Sequence, residues 1–542
     1  MDQQTVQRRR WVILSVLILS LMAIVLDNTV LNIALKTISE PRPAGLGASQ
    51  SELEWAINAY TLAFAGLLFT FGVIGDRLGR RRMLMIGMIM FGLASFASSY
   101  ARSPDQLILA RALMGLGGAM VMPQTLSIIT NVFDPKERPR AIGIWASAVG
   151  VSIALGPILG GLLLSHFWWG SIFLINVPLT AVGVVLIAVL VPESRSPSPG
   201  RIDYLGVLLS IVGLVLLVYG IIQGGDTGHW LRGDVLGPAV GGLAVLALFT
   251  WYEARIPYPS LDVKLFRDPR LSSAAGAIGL FFFALSGAFF FTTFYTQNVR
   301  GYTPLAAGLL TIPLAAGQLL AAPRSATLVN RFGRKAVCTG GLLATAVTML
   351  GYRLLGTSTP IWVLEVTFFL QGASMGTVIP AATESVMSVV PRDHGGAGSA
   401  LTNISRQVAV ALGVAVLGSV LAQAYRGQLA PLLTALPPAA RDQATASIAA
   451  TQQAAAHLGA GGSRALLAAA PRAFVHAMHI TSLISAGIAL VGAAVMLRWM
   501  PGRAAAPAPV AVPAGAGQSG AGQSGAGQSG AEEPEAGEVR AV

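Results

Sequence analysis

Of the chain's 542 residues, 54% are hydrophobic and 11% are charged, less than half the ~25% charged share of a soluble globular chain. The mean hydropathy of +0.66 agrees, and together these values exclude a string of water-soluble domains. A net charge of +12 and a pI of about 10.3 would suit a nucleic-acid partner in a soluble protein. Here the basic residues sit in short stretches between apolar runs, the pattern of cytoplasmic loops, so lipid bilayer rather than nucleic acid is the expected surroundings.

The first element begins at Arg8, Arg9 and Arg10 and runs apolar from Trp11 to Leu35. A signal peptide starts in the same way. The run is too long and has no small-x-small cleavage site, so it reads as an uncleaved first span with its N-terminus inside. A bilayer core of about 30 Å needs about 20 apolar residues per helix. Fourteen runs qualify: 11–35, 54–75, 83–100, 106–129, 141–165, 169–191, 204–222, 235–251, 271–294, 304–323, 336–355, 360–383, 397–422 and 473–499. None alternates with the period of two that a membrane barrel needs. The expected fold class is therefore an all-α polytopic membrane protein.

Charge placement tests the count. With the N-terminus inside, successive inner loops receive Arg77, Arg80, Arg81 and Arg82; Lys136, Arg138 and Arg140; and Arg195 and Arg201. Later ones receive Arg255, Lys264, Arg267 and Arg270, then Arg324, Arg331, Arg334 and Lys335. The outer loops share only Lys36, Arg42, Arg102, Arg232, Arg300 and Arg353. A missed early span would collapse that asymmetry, so both termini are placed on the cytoplasmic side.

Two segments are not spans. Residues 423–472 are rich in Ala and Gln and read as an outer loop with one or two short surface helices. Residues 501–542 are Ala, Gly and Pro, then AGQSG repeats and an acidic end, a composition that leaves a disordered cytoplasmic tail. The loop GVIGDRLGRRR at 72–82 is echoed by VNRFGRK at 329–335. Such an echo suggests two related halves, a common transporter plan.

At these loops the sequence resembles the major facilitator superfamily. Gly72, Asp76, Arg77, Gly79, Arg80 and Arg81 fall in register with its signature between helices 2 and 3. Physically, the glycines let a tight turn pass, Asp76 pairs with a cation or caps a helix start, and the arginines face anionic lipid. A plain basic loop is the other reading. Four further stretches resemble the drug:proton antiporter-2 family, the fourteen-helix branch. They are LDNTVLNIAL at 26–35, LILARALMGLGGA at 107–119, GVSIALGPILGG at 150–161 and SALTNISRQVAVALG at 399–413; FLINVP at 173–178 adds to them. The likeness covers about residues 10–500.

The resemblance implies the major facilitator fold: two six-helix bundles plus two additional helices. The corresponding division is 1–192, 193–270 for the linker with the extra helices, 271–500, and the tail 501–542. The sequence departs from the family where an aromatic-Arg-aromatic element is usual, because Trp169 is followed by Gly170. Helix 13 carries Arg406 without an acid, which argues against a preference for divalent cations.

Intramembrane charges are the strongest functional candidates, since an unpaired one costs several kcal/mol and must face protein or water. Asp27 either takes up a proton or binds cargo, or it is a structural carboxylate paired with Arg or capped by hydroxyls such as Thr29. Arg111 and Arg406 each either modulate an acid or hold a carboxylate, or tie helices together. Glu384 is a second protonation site or an interfacial residue, and Glu365 pairs locally or faces the outer vestibule. Gly150, Gly156, Gly160 and Gly161 permit close helix approach, and Pro157 permits a bend. That combination suits alternating access, or simply good packing. Trp55, Tyr60 and Trp145 offer cation–π or apolar surface to cargo, or serve the core.

No G-x4-G-K-[ST] stretch is present, so the energy is expected from an ion gradient or the substrate's own gradient rather than ATP, and the resemblance to drug:proton antiporters implies a proton gradient. No cofactor is expected. One cysteine, Cys338, rules out an intrachain disulfide, and His476 and His479 alone make no metal site. No catalytic constellation is found, so an enzyme is not expected. The sequence thus reads as a proton-coupled exporter of lipophilic or cationic drugs or antibiotics. It would act as a monomer in a bacterial inner membrane on a small-molecule substrate, with proton uptake competing with cargo. An exporter of one self-made metabolite or lipid, or a gradient-independent facilitator or channel, is the alternative.

Overall fold

The computed structural model describes residues 3–134, 137–195, 203–256, 263–389, 395–433, 448–456 and 460–500. No strand occurs among the described residues. Six long helices form the first half: α1 (Gln3–Ser39), α2 (Gln50–Leu78), α3 (Arg80–Ser99), α4 (Pro104–Val132), α5 (Arg138–His166) and α6 (Asn176–Leu190). The helices α7 (Tyr204–Thr227) and α8 (Gly233–Glu253) follow. The last six are α9 (Pro269–Phe294), α10 (Ile312–Phe332), α11 (Arg334–Gly351), α12 (Trp362–Val389), α13 (Gly395–Leu429) and α14 (Ala460–Trp499).

Thirteen described helical spans are long and apolar enough to cross a membrane by length and composition. The 29-residue α5 joins them, because its stretch from 141 to 165 contains no charged residue. The expected tail, 501–542, lies outside the described residues.

Local sequence fixes the helix ends. Ser49 and Glu52 form a reciprocal capping box at the start of α2: the Ser49 amide donates to Glu52 Oε2 at 2.7 Å, and the Glu52 amide donates to Ser49 Oγ at 3.3 Å. Ser103 caps α4, with Pro104 in its first turn. Asp203 caps α7 by accepting from the Gly206 amide at 2.9 Å. The two sharp reversals, α2 to α3 and α10 to α11, both turn on a glycine, Gly79 at φ +118° and Gly333 at φ +83°. The echo seen in the sequence is thus the same turn made twice.

Packing repeats with an offset of eight helices. In the first half α2 packs on α4, α1 on α5, α3 on α4 and α6, and α1 on α6. In the last six, α10 packs on α12, α9 on α13, α11 on α12 and α14, and α9 on α14. The helices α7 and α8 pair with each other, and α7 also lies against α2 and α13. Outward-facing positions are apolar: on α3, Ile86, Ile89, Leu93 and Phe96 are all exposed at helical spacing, as a lipid-facing stripe requires.

The 423–472 segment differs from its expectation as an outer loop. α13 continues to Leu429, a 3-10 turn follows at Ala430–Leu433, and α14 already begins at Ala460. Between them the short helix Ile448–Ala456 packs on α14. Leu429, Leu433, Ile448, Ala455, Leu466 and Ala470 are buried in the main core, and the Tyr425 and Thr451 hydroxyls hydrogen-bond at 2.8 Å. Apolar residues at helical spacing in an Ala-rich stretch are what let this cap dock rather than lie apart.

The two halves meet at one end. At the end away from the Arg77–Arg82 loop, Gln297 Nε2 donates to the Ile33 carbonyl at 2.8 Å. Gln50 Nε2 donates to the Gly418 carbonyl at 2.9 Å. A Cβ on Gly161 would lie 2.6 Å from Leu305 Cα. At the basic end, the ion pairs between described residues stay within a half: Arg10 with Glu137, Arg80 with Asp76, and Arg334 with Glu384.

A side chain at position 161 must therefore push backbone of the opposite half. Gly161→Leu is expected to part the halves at that end. Spin labels on Glu40 and Tyr302 should report a longer mean distance than in the native protein; an unchanged distance would contradict this reading.

Candidate functional site

Asp27 lies in the middle of α1 and is 2% exposed; Arg111 of α4 is 0% exposed. Arg111 Nη1 is ion-paired with Asp27 Oδ2. The other carboxylate oxygen, Oδ1, accepts from Asn176 Nδ2 of α6 at 3.0 Å, and Asn176 Nδ2 also reaches Ser95 Oγ of α3 at 3.1 Å. Arg111 Nε donates to the Ala56 carbonyl of α2 at 3.1 Å, and Nη2 lies 3.4 Å from Asn28 Oδ1. The guanidinium stands 4.4 Å over the Tyr60 ring, a desolvated cation–π contact. One charge pair thus ties four helices, and each charge is partnered as burial demands.

Thr29 does not cap Asp27. Its hydroxyl turns back to the Leu26 carbonyl at 2.9 Å, and Asn176 takes the place expected of it. Both oxygens of the Asp27 carboxylate are thus engaged, one by Arg111 and one by Asn176.

The small residues of α5 serve two neighbours. A Cβ on Gly156 would overlap the Thr29 hydroxyl, and one on Gly160 would lie 3.0 Å from Val30 Cγ1. These two positions seat α5 on α1, beside Asp27. One residue further round, Gly161 meets Pro304 and Leu305, while Gly308 meets the Pro157 carbonyl. Pro157 and Gly161 therefore carry the contact with the other half. Gly150 also lies on α5.

At the basic loop, Arg80 Nε pairs with Asp76 Oδ1 at 2.8 Å and Nη1 reaches the Ser127 carbonyl of α4 at 3.3 Å. Arg81 donates to the Ala188 carbonyl of α6 at 2.5 Å. Gly72 lies beside Pro123, and Gly75 lies against the Gln124 side chain. Arg77 is exposed. The loop thus clamps α2, α4 and α6 within one half.

Residues 17–414 match the Major Facilitator Superfamily. The chain belongs to that superfamily. The multidrug efflux pump LfrA of Mycolicibacterium smegmatis is 35% identical over 490 residues, 90% of this chain and 96% of the relative. The methyl viologen resistance protein SmvA of Salmonella typhimurium is 31% identical over 486 residues, covering 89% and 96%. The tetracenomycin C resistance and export protein of Streptomyces glaucescens is 33% identical over 417 residues, covering 76% of each. These relatives agree with the resemblance to drug:proton antiporters read from the motifs.

Among solved structures, a bacterial homolog of the human lysosomal transporter Spinster, inward-facing and unoccupied, superposes with TM-score 0.62 at 19% identity. It covers 92% of this chain and 99% of its own. That likeness shows the major facilitator fold.

Within this superfamily fold the departure at Gly170 has a steric cause. A Cβ there would collide with the Ser99 carbonyl, so the turn entering α6 is wedged onto the end of α3 and leaves no room for an arginine. The Glu384 side chain is 53% exposed and pairs with Arg334 at 2.9 Å. Glu365 is half-buried in the first turn of α12. The Trp55 ring stands 6.2 Å from that of Tyr219 on α7, in an apolar cluster that also takes in Ala411 and Ala415 of α13. Trp145 is half-buried and donates to Thr125 Oγ1 at 3.2 Å. His479 is held by the Leu355 carbonyl at 2.8 Å.

Two buried polar residues escaped the sequence reading. Asn176 stands inside FLINVP, where a lone amide in an apolar run was the available signal. Glu54 is 2% exposed, packed against Gly418 of α13, with Gln50 Nε2 at 3.3 Å from Oε1. It is the first residue of its run, and burial reaches it only through the opposite half.

Removing one partner of the central pair should expose its cost. Arg111→Leu leaves the carboxylate buried alone and is expected to destabilise by about 3–5 kcal/mol. Asp27→Asn in the same chain should recover most of that loss. Thermal unfolding in detergent of the two single variants and the double variant checks this; equal destabilisation of the Arg111→Leu and double variants would refute it.

Proposed function

We propose that the chain is a proton-coupled antiporter that exports lipophilic or cationic drugs or antibiotics from the cytoplasm. It sits in the bacterial inner membrane with both termini and the basic loops on the cytoplasmic side, and one copy is the working unit. Export by the relatives supports the reaction class. The observation that carries the coupling is the position of the Asp27–Arg111 pair, beside the α1–α5 contact that continues into the other half.

A proton on Asp27 removes the negative partner of Arg111 and leaves a buried cation with only dipoles and a ring around it. That costs several kcal/mol, enough to change which arrangement of α1 is favoured. α1 carries Thr29 and Val30 against Gly156 and Gly160 of α5, so a change in its seating reaches Gly161 and Gly308, where the halves touch. In the arrangement described, the halves are closed at the outer end. Cargo then enters from the cytoplasmic side, the closed end opens for release, and proton uptake resets the carrier. The protonmotive force is the energy source, and no cofactor takes part.

Inverted vesicles test the scheme. An imposed pH gradient should drive uptake of a dye substrate, and Asp27→Asn should lower that driven uptake by about 10-fold or more. Driven uptake that persists in the variant would remove Asp27 from the coupling. A native flux indifferent to the gradient would instead favour a facilitator.

A further inference from the structure

The second half holds a positive charge with no acid against it among the described residues. Arg406 of α13 is half-buried. It lies on the stripe of α13 that faces α9: Ala409 approaches Gly279, and Gly413 packs on Phe283 and Ser286. Its guanidinium stands 5.7 Å over the Phe282 ring of α9, and Nη2 donates to Asn403 Oδ1 at 2.9 Å. The Nε–H is buried without a partner.

Among the described residues no carboxylate pairs with Arg406. Asp27 is committed to Arg111 and Asn176, Glu384 to Arg334, and Glu54 sits in the closed seam with Gln50. Glu365 lies in the first turn of α12, on the far side of the bilayer from the basic loops. A guanidinium left half-buried beside an aromatic ring, with a free donor and no acid, is a site that lacks its anion.

We propose that the recognised cargo is an aromatic acid, a planar ring system bearing a carboxylate or phenolate, with its oxygens on Arg406 and its ring on Phe282. This deepens the export reading and rests on it. The Nε and Nη edge of Arg406 meets two oxygens of a carboxylate in one plane. A permanently cationic drug meets repulsion at the same place. An anion at Arg406 and a proton at Asp27 do not compete by charge, so their coupling runs through the seating of the halves.

Binding to the detergent-solubilised full-length chain tests this without any gradient, so the result stays readable even if proton coupling fails. The probes are fluorescent anthracenecarboxylate, its neutral carboxamide and an aminomethylanthracene. The native chain should bind the carboxylate most tightly. Arg406→Gln should weaken carboxylate binding about 30-fold or more, as loss of a desolvated charge-assisted contact does, and leave carboxamide binding and thermal unfolding unchanged. Arg406→Lys should keep the preference for the anion in weakened form. Absent carboxylate binding, tighter binding of the ammonium probe, or an unchanged ranking in Arg406→Gln would overturn the proposal.

Discussion

The buried Asp27–Arg111 ion pair is the interaction on which the first half is built. Neither charge can be carried alone in a helix bundle surrounded by lipid, so α1 and α4 cannot part without stranding both. The remaining valences recruit further helices: the Ala56 carbonyl brings in α2, and Asn176 brings in α6 and, through Ser95, α3. Tyr60 then fills the space under the guanidinium. A pair of this kind contributes little net stability compared with an apolar substitute, but it punishes any arrangement that separates its members.

The contacts between the halves are of the opposite kind. They are made largely by backbone and small residues, Gly161 on Leu305, Gly308 on Pro157 and Gly418 against Glu54, with Gln50 and Gln297 each donating to a carbonyl of the opposite half. Close approach of this sort gains dispersion energy over a large area without interlocking side chains, so it can be undone and remade without rotamer rearrangement. Within each half, by contrast, arginines reach across helices to carbonyls and carboxylates, as Arg80 and Arg81 do. Cohesion inside the bundles and separability between them follow from that division.

Much of this was legible in the sequence, for reasons that can be named. The spans were readable because lipid demands long apolar runs, and the two reversals were readable because Gly79 and Gly333 are followed by arginine. Asp27 and Arg111 stood out as charges in apolar runs, although nothing in either helix indicated that they pair with each other. Asn176 was less visible because an amide carries no charge. Glu54 was invisible as a buried residue, since what covers it, Gly418, lies 364 positions away in the chain. The burial of Leu429, Leu433, Ile448 and Ala455 was not visible, because an Ala-rich segment has the composition of a surface helix until its apolar residues find a partner.

The geometry also explains why one helix carries glycines at positions 156, 160 and 161 rather than on a single face. Residues 156 and 160 are four apart and share a face, which rests on Thr29 and Val30. Residues 157 and 161 form the neighbouring face, about 100° round the helix, and touch the 304–308 turn before α10. α5 is therefore a strip with α1 on one side and the other half on the adjacent side. Thr29 is two residues from Asp27, so a shift of α1 that follows a change in the ion pair must move the first face of α5. Having no side chains to absorb the shift, the second face must pass it on. Larger residues at 156 or 160 would push α5 away from Thr29 and Val30 and break that contact.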